Sequence, residues 1–364
     1  RRIAEGARQA GLAGARIALV EGDDMLDKLD GLMGQGISLR NMDTGDDDFA
    51  AIRDRVVCAN VYTDSSGIVE GLEGGADVVI AGRVSDNALY VGPLAHEFGW
   101  LRDAQHTDRF AAAVTLGHIV ECAAGCSGGM SSRFADMPHM GRAGFPILEV
   151  GEDAEAIVTK LPGTGGRIDQ WTVKEHLVYE VGDPRRYLMP DAVADFTSLR
   201  LADDGMDRVR VSGVRGEVAP DLWKLVVGYQ DGWIGETMAF FPWPMPMTAP
   251  SRRARPCSNG SSAWAWQRTR STSISSASIP CMGQRPPFRA GNGPMNCPKW
   301  VCAARCGPVA RKRPKRYAAG TNLWIMGPGG TSFGTPMKPR PVISLWPTLI
   351  PRDAVVQTTE ILVA

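Results

Sequence analysis

The chain lacks acidic residues over a long stretch, since no Asp or Glu occurs between Thr237 and Arg352, a gap of 116 residues. It also lacks any run of about 18 apolar residues, which argues against a membrane-spanning helix. No GxGxxG motif follows an apolar run, which argues against a nucleotide-dependent redox enzyme. Residues 1–5 contain no initiator Met, and no apolar stretch follows their charges. We therefore expect the start of a fragment rather than a signal peptide.

The formal net charge of zero hides two parts of opposite charge. Up to Glu236 the chain carries 38 acidic and 23 basic residues, a net charge of −15. The remainder carries 2 acidic and 17 basic residues, a net charge of +15. Parts this different either bind different partners or do not come from one reading frame.

The basic character is strongest in residues 251–320, which hold 14 basic residues, no acidic residue, eight prolines and five of the eight cysteines. Three interpretations compete. The first is a metal cluster of Cys297, Cys302 and Cys306. Their spacings are not those of paired ligands and no His completes the set, so we expect no metal.

The second interpretation rests on the basic run at 311–316, which would bind nucleic acid or form part of a disordered linker. The third is a shifted coding frame in a GC-rich gene. We favour the third, because it explains the composition, the cysteine excess and the lost periodicity together. Since the nucleic-acid interpretation depends on this segment alone, we expect no nucleic-acid partner.

The first part of the chain alternates apolar runs with helical segments, as α/β proteins do. Residues 77–81 form a continuous apolar run, which is typical of a buried parallel strand. For residues 1–145 we predict an α/β fold with a mainly parallel sheet flanked by helices. The predicted strands are 15–20, 56–62 and 77–81, and the predicted helices are 3–11, 65–73, 86–98 and 108–124.

The later residues follow a different pattern. Short alternating strands and one helix at 173–181 predict a mixed α+β, β-rich continuation of the same domain over 146–242. We expect 243–322 to be basic, unstructured and frameshifted. Residues 323–364 regain strand patterns and predict a small C-terminal α/β remnant.

Six short strings stand out along the chain: VEGDD (20–24), GADVVIAGRVSD (75–86), LAHEFGW (94–100), GHIVEC (117–122), KLPGTGG (160–166) and YQDGWIG (229–235). In order and spacing they resemble the acyclic terpene utilisation family (AtuA-like), long described as a domain of unknown function. The resemblance covers residues 1 to about 242 and returns weakly from about 323.

The resemblance implies a cytoplasmic protein of acyclic terpene or branched-chain acid catabolism, whose substrates are handled as carboxylates or CoA thioesters. Family members continue upstream of Arg1, so it also implies that a first βα portion is missing. They have an acidic, helical stretch where this chain has its basic one. The resemblance supplies no reaction mechanism.

Arg83 and Asp86 follow the apolar run at 77–81. Ligands of open α/β sheets bind beyond the carboxyl ends of strands, so Arg83 is a candidate clamp for a carboxylate or phosphate, with Asp86 beside it. The alternative is that Asp86 caps the next helix and Arg83 pairs with a surface acid.

His118, Glu121 and Cys122 share one face of a predicted helix, at positions i, i+3 and i+4. A His beside a Glu can transfer protons near neutral pH, and an acidic Cys thiol can act as a nucleophile. The alternative is a core helix, because Cys is among the most buried residues and alanines surround it.

Lys160, Gly163, Thr164, Gly165 and Gly166 form or flank a loop between two predicted strands. Successive backbone N–H groups of such a loop can bind an anion, with Lys160 adding charge. The loop lacks the spacing of a phosphate-binding P-loop. A plain hairpin connection is the equal alternative.

These candidates support two hypotheses. The first is an enzyme of lyase or hydratase type that moves protons with His118 and Glu121 on a carboxylate or acyl-CoA, needing no cofactor and no metal. The second is a non-catalytic acyl-CoA-binding or assembly subunit of the same pathway. Either way we expect a small-molecule partner and no membrane partner, and the sequence leaves a homo-oligomer open.

Overall fold

The computed structural model describes residues 2–241, 300–310, 326–327, 331–333 and 340–364, with side chains in 2–233 and 340–364. Residues 1–227 with 346–364 form one compact unit, and residues 228–345 form a second. The helices are α1 (Arg2–Gln9), α2 (Leu29–Gly34), α3 (Ala50–Arg53), α4 (Ser66–Glu73), α5 (Ala88–Glu97), α6 (Thr107–Glu121) and α7 (Gln170–Leu177). The strands are β1 (Arg16–Glu21), β2 (Val56–Val61), β3 (Val78–Ala81), β4 (Pro146–Val150), β5 (Ala156–Lys160), β6 (Tyr187–Leu188), β7 (Val193–Asp195), β8 (Arg200–Asp203), β9 (Val209–Ser212), β10 (Arg215–Glu217), β11 (Leu222–Phe241), β12 (Trp300–Ala310), β13 (Met326–Gly327), β14 (Thr331–Phe333), β15 (Arg340–Pro351) and β16 (Thr358–Val363).

A three-stranded sheet of order β16–β1–β3 joins the two ends of the chain. β1 is parallel to β3 and antiparallel to β16. Helix α4 lies against this sheet through Gly67, Gly71 and Gly74. A Cβ added at these positions would meet side chains of β1 or β16 at 2.2–2.7 Å, so only glycine permits this close approach.

The predicted mainly parallel sheet is wrong. Among the described strands the β1–β3 pair is parallel, whereas the other registered pairs are antiparallel. The apolar run at 56–61 is a strand as predicted, but β2 pairs with β11 and not with β1 or β3. The mixed α/β character of the chain is confirmed, as several small sheets rather than one large one.

Two antiparallel sheets follow along the chain. One is a four-stranded sheet of order β4–β5–β9–β8, and the other has the order β10–β7–β6. Helix α6 packs against β10, β7 and β4 and against α5 and α7. Every residue of α6 from Phe110 to Val120 is buried. A helix buried on all sides belongs to the centre of a core, so the histidine within it must find its polar partners inside the protein.

In the second unit, residues 233–241 of β11 pair antiparallel with β12, and β14 pairs with both β11 and β13. Trp300–Ala310 thus form a strand inside the segment for which the sequence predicts no regular structure. The rest of that segment, residues 243–299 and 311–322, lies outside the described residues, as does most of the loop at 323–330. The predicted domain boundaries and the frameshift stay predictions.

A buried charge network ties the β2–α4 connection to distant parts of the first unit. The side chains of Asp64 and Asp191 are fully buried, and Arg102 Nη2 lies 2.5 Å from Asp191 Oδ1 and 3.6 Å from Asp64 Oδ2. Ser65 Oγ donates to Asp191 Oδ1 at 2.7 Å. Arg352, just before the last strand, pairs with Asp64. Burial raises the pKa of Asp191, and the positive charge of Arg102 opposes that rise.

Candidate functional site

The histidine predicted from the sequence lies at the centre of a buried polar cluster. The side chain of His118 has 0% exposure and that of Glu121 9%, and His118 Nδ1 lies 3.2 Å from Glu121 Oε1. The i, i+3 spacing on α6 brings the two groups together as the sequence predicts. Because Nδ1 faces a carboxylate oxygen, we assign the neutral ring's proton to Nδ1, which leaves Nε2 as an acceptor.

Two more aromatic side chains complete the cluster, and sequence reasoning missed both. Tyr187 Oη lies 3.4 Å from His118 Nδ1. His176 Nε2 donates to the backbone oxygen of His118 at 2.9 Å. The rarity of histidine could have pointed to His176, since the chain has five histidines and this one lies in a predicted helix. Tyr187 has no such signal, because it reaches the site from a two-residue strand.

The cluster holds a surplus of hydrogen-bond acceptors. His118 Nε2, Glu121 Oε2, His176 Nδ1 and Asn87 Oδ1 are all buried without a protein partner. Asn87 is counted with the set because its side chain is close enough to Tyr187 to lower the pKa of that phenol, against the larger effect of burial. Buried polar atoms are nearly always hydrogen-bonded, so four unpartnered acceptors in one cluster indicate a site built for a proton donor such as water, a hydroxyl group or an acidic C–H.

Burial sets the protonation of the neighbouring groups. It lowers the pKa of His176 to about 4, with the adjacent His118 contributing, so His176 is neutral at pH 7. Burial also raises the pKa of Tyr187, with the charge of Glu121 contributing, so Tyr187 remains a phenol that can donate a proton. Burial and Glu121 raise the pKa of Cys122, which keeps it a thiol and weakens the nucleophile hypothesis.

The loop that carries Arg83 and Asp86 lies beside the same cluster. Asn87 at the start of α5 donates to the backbone oxygen of Val114 on α6 at 2.8 Å. Asp86 is close enough for its charge to raise the pKa of Tyr187. Arg83 Nη2 lies 2.8 Å from Asp86 Oδ1, and both side chains are partly exposed. Asp86 is therefore within electrostatic range of Tyr187, and Arg83 is already paired to Asp86.

The remaining predicted residues form a separate cluster. Lys160 is buried, and its Nζ lies 3.0 Å from the backbone oxygen of Thr164 and 3.0 Å from Asp207 Oδ2. The N–H groups of Thr164, Gly165 and Gly166 donate to backbone oxygens of Leu161, Arg142 and Pro138. These donors have internal partners, so an anion would have to displace them. The anion-binding role of Lys160 and of Gly163–Gly166 stays a prediction.

Within the described part of the chain, no group of three or more His, Cys, Asp or Glu side chains has the arrangement of a metal site.

Comparison with known proteins gives one match. A family model described as acyclic terpene utilisation family protein AtuA matches residues 1–361. No curated protein and no solved structure matches the chain.

Proposed function

Because the chain belongs to the acyclic terpene utilisation family, we propose that it is an enzyme acting on an isoprenoid or branched-chain carboxylate, or its CoA thioester, by proton transfer. The observation that carries the proposal is the orientation of His118. Its Nδ1 is held by Glu121 at 3.2 Å, while its buried Nε2 has no protein partner. An imidazole fixed at one nitrogen by a carboxylate, with its other nitrogen available, is the usual arrangement of a general base.

In this proposal His118 Nε2 removes a proton either from the carbon next to the substrate carbonyl or from a water molecule that adds to a double bond. The imidazolium that results is stabilised by the Glu121 carboxylate. Tyr187, kept protonated by its raised pKa, donates to the oxygen on which negative charge develops. These steps describe a lyase or hydratase type of reaction, and neither needs a redox cofactor.

The sequence offers Arg83 as one contact for the anionic group of the substrate. Its side chain is partly exposed. A substrate carboxylate would replace Asp86 as its partner, and its planar guanidinium suits bidentate binding of a carboxylate or phosphate. Its ion pair with Asp86 is exposed enough to be weak, so the exchange of partners costs little.

The test is proton exchange at the carbon next to the carbonyl, because it does not depend on knowing the net reaction. The protein is incubated in D₂O with 3,7-dimethyloctanoyl-CoA, and deuterium uptake is followed by mass spectrometry. We expect wild type to catalyse uptake and His118→Ala to lose roughly 10²–10⁴-fold, the usual contribution of a general base. His96→Ala, at an exposed histidine of α5, is the matched control and should exchange at the wild-type rate.

A second readout separates chemistry from folding. Added imidazole should restore part of the exchange in His118→Ala, because the substitution leaves a space of the size of the ring. Circular dichroism establishes that the variant is folded. No deuterium uptake with wild type, or equal uptake with wild type and folded His118→Ala, would show that His118 does not remove the proton next to the carbonyl.

The second candidate is a non-catalytic acyl-binding or assembly subunit. One observation favours it: both predicted anion-binding cations, Arg83 and Lys160, are ion-paired within the protein. Binding of the acyl-CoA by wild type with no exchange under any condition would support this alternative.

A cytoplasmic location is part of the proposal, following from the catabolic role of the family. None of the described helices has the length and apolar character to cross a bilayer. We propose a small-molecule partner, with no nucleic-acid or membrane partner and with self-association left to measurement.

A further inference from the structure

A cleft of about 600 Å³ lies beside the proton-transfer cluster, between α7 and β8. Its volume is within the range of about 300–1,000 Å³ that small-molecule pockets occupy. Six of its lining residues are apolar and two are basic. The lining comprises Lys174, Leu177, Val178, Pro184, Phe196, Leu199, Arg200 and Leu201.

Phe196 connects the cleft to the proposed base. Its ring lines the cleft and also stacks on His118, with ring centroids 5.7 Å apart and planes inclined by 25°. The same ring lies 4.9 Å from that of Tyr187. A molecule in the cleft would thus be separated from His118 by the thickness of one aromatic side chain, and proton transfer to His118 would require that ring to turn aside.

The charges of the cleft are available to a ligand. Lys174 and Arg200 are exposed, and neither has an acidic partner among the described residues. Arg83 and Lys160, in contrast, are paired with Asp86 and Asp207. Two exposed cations at the edge of an apolar cleft match a molecule with an apolar body and an anionic end.

We propose that this cleft binds the branched acyl chain of the substrate, and that its anionic end is bound by Lys174 and Arg200 in place of Arg83, which is already paired with Asp86. The inference rests on the proposed function, because that function identifies the bound molecule as a substrate. The cleft's chemistry by itself specifies an apolar molecule with an anionic group. That group is either a free carboxylate or the phosphates of a CoA thioester, which these side chains can bind equally well.

Calorimetric binding tests the inference without turnover. The probes are 3,7-dimethyloctanoate, the uncharged 3,7-dimethyloctan-1-ol and 3,7-dimethyloctanoyl-CoA. We expect the anionic probes to bind more tightly than the alcohol, and Lys174→Gln/Arg200→Gln to weaken anion binding by roughly five- to thirtyfold. Binding of the alcohol should be unchanged in that variant. Lys28→Gln, at an exposed lysine outside the cleft, is the control.

Leu201→Asp places a carboxylate among the apolar lining and should abolish binding of all three probes, while circular dichroism checks that it folds. Competition by free CoA against 3,7-dimethyloctanoyl-CoA identifies the phosphates as the bound anion, whereas competition by 3,7-dimethyloctanoate identifies the carboxylate site. Equal affinity of all probes for wild type and for the double variant would overturn the inference.

The failure of the proposed function is distinguishable from the failure of this inference. Folded His118→Ala should bind the probes with wild-type affinity, because His118 lies behind Phe196. Binding that depends on Lys174 and Arg200 without any proton exchange would leave the cleft in place and remove the catalytic role. Proton exchange that Leu201→Asp leaves unaffected would keep the catalytic role of His118 and would show that the cleft does not bind the substrate.

Discussion

Arg102→Met is the perturbation whose consequences the structure specifies most fully. The substitution keeps much of the apolar stem. It removes the guanidinium group, which lies over the ring of Phe110 and places its positive charge between two fully buried carboxylates. Removing one partner of a buried ion pair costs about 3–5 kcal/mol. Since the Arg102 side chain is 30% exposed and Arg352 still pairs with Asp64, we expect the lower end, about 3 kcal/mol. For a unit of this size that lowers the melting temperature by roughly 6–12 °C.

The loss should depend on pH in a defined direction. The pKa of Asp191 is raised in the folded protein by burial, so the folded state binds more protons than the unfolded state above the ordinary pKa of Asp. Stability from this group is therefore greatest at acidic pH and falls as pH rises through the folded pKa. Without Arg102 to oppose the rise, the destabilisation should be larger at pH 8 than at pH 5.

Urea unfolding at both pH values measures this effect, with circular dichroism as the signal. Arg102→Met/Asp191→Asn should recover part of the stability at pH 8, because the unpaired carboxylate is gone. If Arg102→Met unfolds like wild type at pH 8, or if the double variant loses the sum of both single losses, the network does not stabilise the unit as described.

Three further predictions concern packing, cysteine chemistry and the coding frame. Gly71→Val should destabilise the first unit by about 1–3 kcal/mol in urea unfolding because its Cβ would overlap β1, whereas Gly31→Val, with open space around it, should cost less than about 1 kcal/mol. A thiol reagent at pH 8 followed by peptide mass spectrometry should modify exposed Cys58 but not Cys126, whose burial raises its pKa to about 12, and modification of both in the native protein would contradict the packing. Resequencing codons 240–325 should show an acidic, periodic sequence in another frame, and confirmation of the printed frame would make the basic segment genuine.

The local elements of the first part were predictable because their signals are local. A continuous apolar run gave β3, and a helical pattern gave α6 within a few residues of its ends. The pairing of strands was not predictable in this way. β1, β2 and β3 are all short apolar runs in sequence, but β16, more than 330 residues from β1, occupies one neighbouring position of the sheet. Which strands become neighbours depends on contacts that no local pattern contains.

In the candidate site, too, contacts between residues close in sequence were predictable and contacts between distant residues were not. His118 and Glu121 are three residues apart on one helix, so their contact follows from helical geometry. Tyr187 is 69 residues from His118 and reaches it only through the β6–β7 hairpin. The glycine-rich loop at 163–166 matches an anion-binding pattern in composition, but its amides donate to backbone oxygens of the adjoining Leu161 and of the segment 138–142. Composition predicts which groups exist, and the tertiary fold decides which of them remain available.

The pairing of β16 with β1 has a consequence for the synthesis of the chain. Ile17 pairs with Leu362, so one edge of β1 has no partner from this sheet until β16 leaves the ribosome. At about 5–20 residues per second, translation of the residues that separate β1 from β16 takes roughly 17–70 s. Over that time the nascent first half carries an unprotected strand edge, which is a template for pairing with other chains. Expression at low temperature with chaperones should raise the soluble yield, and emergence of β16 from the ribosome should be the event that commits the first unit to its native sheet.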